Sequence, residues 1–164
     1  MRITFFGHAD FSESDAIRER LVKLLRERAS GVDVEFLFGG YGSFDRFAYG
    51  VAKDFRGCSS SKLFFVTPYI TESYLKNQVE PSYLKYDCVI YPEIEKVPYK
   101  FAIGARNKWM VNNSDLIIFY VARSYGGAYT ALRYARARGK ESVNLVDEVI
   151  TTGRAGGLHS PLRA

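Results

Sequence analysis

Apolar runs of strand length alternate along this chain with segments whose apolar residues return every three or four positions. A run such as Ile3–Phe6 or Leu116–Val121 is too short for a buried helix, and it lacks the polar alternation of a half-solvated strand. Strands covered on both faces, with helices between them, form right-handed crossovers and a mostly parallel sheet. The pattern predicts a Rossmann-like α/β fold: an open sheet of about six strands with helices on both faces.

The boundaries follow from local signals. Ile3–Phe6 reads as a first, central strand ended by Gly7. Ser12 and Ser14 offer N-caps to an amphipathic helix carrying Ile17, Leu21, Leu24 and Leu25 as far as Ala29, where Gly31 stops it. Val32–Phe38 reads as a second strand, Ser43–Phe55 as a helix and Lys62–Val66 as a third strand. After a loop of undefined structure, Asp87–Tyr91 makes a short fourth strand. Pro98 opens a helix reaching Asn112. Leu116–Val121, a helix over Gly127–Arg138, and Ser142–Leu145 complete the set. Residues 1–148 are expected to form one domain, and the Gly-rich stretch 149–164 a flexible tail that includes His159.

A length of 164 residues, with 47% hydrophobic and 25% charged, suits one globular domain. The 12 Tyr and 12 Phe exceed what a core alone absorbs and suggest ring-walled surface clefts. A net charge of +5 favours anionic partners but is too modest to select nucleic acid, which this reading disfavours. Cys58 and Cys88 provide neither a disulfide framework nor metal spacing, and Cys88 is expected as a buried thiol inside an apolar run. No metal or cofactor is expected. No signal segment or run of about 18 apolar residues occurs, so a cytoplasmic protein without a membrane partner is expected.

Three glycine-bearing strand ends carry the chemistry: Gly7-His8-Ala9-Asp10, Gly39-Gly40-Tyr41-Gly42-Ser43-Phe44-Asp45, and Ser124-Tyr125-Gly126-Gly127-Ala128. In a parallel sheet all three emerge on the carboxyl edge, where such folds bind ligands. Exposed backbone amides at a helix start favour an anion there. Neither GxGxxG nor GxxxxGK[ST] is present, so no dinucleotide fingerprint or P-loop is implied. Asp45 could bind ribose, act as a base, or only cap its helix. His8 could contact a ligand or be a buried, hydrogen-bonded histidine. Arg106, beside Asn107, could hold phosphate or carboxylate, or pair at the surface with Glu93 or Glu95. The basic run Arg133, Arg136, Arg138 and Lys140 near a helix C-terminus reads as a solvated face complementing the helix dipole.

Taken in order, strand-GH, strand-GGYGSFD, RNKWM, and SDLIIFYV-ARSYGGAYTALRYARARGK with a closing VNL resemble the SLOG group of Rossmann-like domains over about residues 1–146. That group includes the lonely-guy phosphoribohydrolases and the DNA-processing protein of natural transformation. The likeness is nearest to a branch of small bacterial proteins that begin FFGH and share RNxWM. It implies ligand contacts at Gly7, His8, Gly39, Gly40, Gly42, Arg106, Ser124, Gly126, Gly127 and Thr130, with Asp45 and Arg106 as the catalytic pair of any enzyme. It also implies self-association as a homodimer. The chain departs from the group at Ala9, where branch relatives carry arginine, and at Phe38-Gly39-Gly40 with Asp45, where the lonely-guy motif reads PGGxGTxxE.

The expectation drawn from these residues is a binding or sensing module for a small nucleotide-like ligand. One alternative is an enzyme cleaving or transferring at the N-glycosidic bond of a nucleoside monophosphate. There Asp45, Glu93 or Glu95 would stabilise the sugar cation, while Arg106 and the Gly126-Gly127 amides hold phosphate. A further alternative is DNA binding, using the Arg133–Lys140 run.

Overall fold

A computed structural model describes residues 1–57, 60–79, 81 and 85–146, so Cys58 and the expected tail at 149–164 lie outside the described residues. The strands are β1 (Arg2–Gly7), β2 (Val34–Phe38), β3 (Ser61–Val66), β4 (Cys88–Ile90), β5 (Leu116–Tyr120) and β6 (Ser142–Asn144). The helices are α1 (Asp15–Ala29), α2 (Ser43–Arg56), α3 (Ala102–Asn112) and α4 (Gly127–Ala137). Between β3 and β4 the loop left undefined by the sequence contains a helical turn, Glu72–Tyr74, that runs into a π-helical stretch, Leu75–Val79.

All five strand pairings are parallel, in the order β4-β3-β2-β1-β5-β6. The chain builds outward from β1 in one direction through β4, then crosses back to add β5 on β1's other side. The switch point of this Rossmann-like sheet therefore lies between β1 and β5, where the crossovers diverge and leave a crevice.

Alternate strand residues feed two cores. Ile3, Phe5, Phe36, Phe38 and Ile118 face α1 and α2, where Leu21, Leu25, Phe44 and Val51 meet them. Phe6, Leu37, Ile117 and Phe119 join Met110, Val111, Leu132 and Ala135 of α3 and α4 on the other face. The strand phenylalanines stack across the sheet: Phe5 with Phe38 at 5.2 Å and Phe6 with Phe119 at 5.7 Å between centroids. Pairs of this kind add about 0.5–1.5 kcal/mol beyond the area they bury.

Several expectations need local correction. Val32 is exposed and β2 starts at Val34, because the chain is still turning out of α1. Cys88 is exposed, not buried: β4 is a three-residue edge strand with only one neighbour to cover it. Phe101, the N-cap of α3, and Ile103 in its first turn are exposed, while Met110 and Val111 near its end are buried. No helix among the described residues is long and apolar enough to cross a membrane.

Candidate functional site

The carboxyl ends of β1, β2 and β3 and the amino ends of α3 and α4 surround a cavity of about 600 Å³ at the switch point. Gly7, His8, Gly39, Gly40, Asp45, Arg106, Gly126 and Gly127 all line it. The three glycine turns thus meet at one rim, as their positions on a parallel sheet require. Gly42, Ser124 and Thr130 do not line the cavity. Gly42 is the N-cap of α2, pressed against Ala9, and Thr130 Oγ1 donates to the Gly126 carbonyl at 3.0 Å within its own helix. Glu93 and Glu95 are exposed on the loop after β4 and do not line it either.

The local chemistry of two turns differs from a row of free amides. The Gly39 and Gly40 amides donate to Asp45 Oδ1 and Oδ2 at 3.2 and 3.0 Å, so the carboxylate at the start of α2 closes its own entry loop. Those amides are not free for a ligand, which corrects the expected glycine seat at this turn. Burial raises the Asp45 carboxyl to about 6, against the lowering influence of Arg106 and of the two amides. His8 is buried and its Nε2 accepts from the Ala122 amide at 2.9 Å, tying β1's exit to β5's. Burial, then Arg123, lower its pKa, so a neutral ring protonated on Nδ1 holds this bond.

Arg106 enters from α3 and is only 5% exposed. Its Nη1 donates to the Gly39 and Val66 carbonyls, each at 2.8 Å, and its Nε to Asn107 Oδ1 at 3.0 Å. The guanidinium therefore bridges the ends of β2 and β3, and the expected surface pairing with Glu93 or Glu95 does not occur. Glycine is needed beneath it: a Cβ on Gly39 would lie 2.9 Å from Nη1. Burial lowers the Arg106 pKa while Asp45 opposes the shift, yet a guanidinium stays charged in this range.

The third turn is open. A Cβ at Gly126 or Gly127 would meet nothing within 4 Å, and α4 has no side-chain cap, so its first amides face the cavity rim unscreened. Beside it Arg123 forms a two-pronged pair with Asp10, both bonds at 2.9 Å, and its guanidinium lies over the Tyr125 ring at 5.0 Å.

Five lining residues escaped the sequence reading: Pro68, Tyr69, Tyr74, Ile103 and Arg123. The excess of tyrosine hinted at ring-walled clefts, but which rings would gather was not encoded in any local spacing. Tyr69 stacks on Tyr99 at 4.2 Å and meets Tyr74 edge-on at 5.1 Å. Tyr41 (79% exposed) is part of the lining, and the exposed Tyr99 (65%) and Tyr125 (65%) touch it through Tyr69 and Arg123, the three standing on separate connections. Among the described residues no cluster of three or more His, Cys, Asp or Glu could hold a metal ion.

No family model matches the sequence, and no curated protein matches it. Solved structures do. DNA processing protein A from Helicobacter pylori superposes with a TM-score of 0.59 at 19% identity, over 96% of this chain and 74% of that one. DNA processing protein A from Streptococcus pneumoniae superposes at 0.61 and 16% identity, over 93% of this chain and 56% of that one. The chain thus spans three quarters of the first neighbour and just over half of the second. The Helicobacter protein is described by its single-stranded DNA binding mode. That neighbour corrects the expectation of a small nucleotide-like ligand with nucleic acid disfavoured as partner. The chain carries the open, parallel Rossmann-like fold seen in the DNA processing protein A structures.

Proposed function

We propose that this domain binds single-stranded nucleic acid across the carboxyl edge of its sheet. The observation that carries the reading is the set of solvent-exposed tyrosines at and beside the cavity at the switch point: Tyr41 on its lining, Tyr99 stacked on the lining Tyr69, and Tyr125 next to the lining Arg123 and Gly126. Large exposed rings are costly to keep in water unless they meet something, and unstacked bases are their natural partners, at about 1–3 kcal/mol per stacked base. The phosphates have complementary groups in the open amides at the start of α4 and in Lys100, beside Tyr99 in the chain and over Phe101 at 5.0 Å. A duplex, with its bases already stacked, could use only the charges. The single-stranded DNA binding of the Helicobacter neighbour supports the same reading.

Fluorescence anisotropy with a labelled single-stranded dT oligonucleotide of about 20 residues tests it. Binding is expected at low salt, with an unlabelled duplex of the same length competing poorly. Tyr41→Ala and Tyr125→Ala, both at exposed rings, are each expected to weaken binding by about 1 kcal/mol or more, roughly five- to tenfold, without moving the melting temperature. Absence of binding at low salt, or equal affinity for duplex, overturns the proposal.

A further inference from the structure

We infer that the cavity receives one unstacked base of the bound strand, and that Arg106 and Asn107 at its inner corner select guanine. This rests on the single-strand reading above and adds a sequence preference to it. The walls suit a flat ring: Pro68, Tyr69, Tyr74 and Ile103 supply apolar surface, and Tyr69 is held upright between Tyr74 and Tyr99. A volume of about 600 Å³ accommodates a purine with its sugar.

The polar corner is one-sided. Arg106 is 95% buried (5% exposed), and with Nη1 and Nε engaged its Nη2 has no partner among the described residues. The Nε and Nη2 hydrogens lie along one edge of the guanidinium. Asn107, whose Oδ1 meets Nε at 3.0 Å, is therefore beside Nη2, and its Nδ2 has no partner among the described residues either. Both side chains line the cavity, and both present donors. The nearest carboxylate, Asp45, makes no hydrogen bond to Arg106; its two oxygens accept from the Gly39 and Gly40 amides. Two unpartnered donors side by side on a cavity wall are complemented by a ligand that offers two adjacent acceptors.

Two adjacent acceptors are what this corner lacks. Guanine presents them as O6 and N7, and cytosine as O2 and N3, whereas adenine and thymine set a donor beside each acceptor. The size of the cavity favours the two-ring base.

The experiment compares dT oligonucleotides carrying one central dG, dC, dA or 7-deaza-dG, again by anisotropy. The dG strand is expected to bind about tenfold tighter than dT alone, within the discrimination of a two-bond base contact. The dA strand is expected to match dT, and 7-deaza-dG, which lacks N7, to lose most of the gain. Asn107→Ala should shrink the ratio of dG to dT affinity toward one; it is the informative variant, since Arg106→Ala removes a brace between β2 and β3. A dC preference in place of dG would keep the two-acceptor corner and overturn the choice of guanine. Equal affinity for all strands, with dT bound, overturns the inference and leaves single-strand binding standing. No binding to any strand overturns both.

Discussion

Asp45 and His8 sit within the same site and respond to pH in opposite senses. Burial raises the Asp45 carboxyl from 3.8 to about 6, so the folded state holds its proton more tightly than the unfolded chain does. Its contribution is fully present below pH 3.8 and is lost as the pH rises through about 6. Taken to its limit this amounts to about 3 kcal/mol, at about 1.4 kcal/mol for each pH unit. Carbon-detected NMR should place the Asp45 midpoint near 6, and the Gly40 amide shift should follow it. A midpoint near 4 would show that the amides and Arg106 outweigh burial. His8 has its folded pKa lowered below 6.5, so its contribution is present above 6.5 and disappears as the pH falls through the folded value. Gly7 poses a steric problem instead: an added Cβ would lie 2.3 Å from the Phe44 ring, which is fully buried and has no room to retreat. Gly7→Ala is expected to destabilise by about 1–3 kcal/mol in urea unfolding, the usual cost of overpacking.

At the level of elements, the site depends on how strand exits are pinned to one another. Asn144 at the end of β6 accepts from the Val121 amide and donates to the Val121 carbonyl, both at 3.0 Å, and so fixes the chain as it leaves β5 toward Arg123 and Gly126. Asn144→Leu would leave two buried backbone groups of Val121 unmet, at a cost of about 1–3 kcal/mol for each group lost. Denaturant unfolding should register that loss, and Asn144→Asp should restore only the bond from the Val121 amide. The same reasoning explains why element positions were legible and some of their surroundings were not. β1 and β5 were readable from continuous apolar runs, and α1 from its leucine spacing with Ser14 as cap. β4 was readable as a strand, but its place at the sheet edge was not, and Cys88 was consequently misplaced in the core. Strand order is set by which crossover packs where, and residue spacing within a strand carries no record of it.

Across the whole molecule, binding of a strand should reflect a small number of charges and a larger number of rings. Arg123 is already paired with Asp10, so few cations around the cavity are free to meet phosphate. The logarithmic dependence of affinity on salt should therefore be shallow, with a slope of about −2 to −3 if three or four phosphates are neutralised at about 0.7 each. A slope steeper than about −5 would transfer the interface to the Arg133–Lys140 run on α4. The sequence by itself determined the parallel α/β architecture and the meeting of three glycine turns at one edge. Both follow from apolar period and turn chemistry, which are local. Only the tertiary structure decided that the Gly39 and Gly40 amides serve Asp45, that Arg106 braces two strands from inside, and that Tyr69, Tyr74 and Tyr99 pack together at the cavity wall. Those outcomes depend on which groups the folded chain brings within bonding distance, and residues as far apart as Gly39 and Arg106 have no local pattern that relates them.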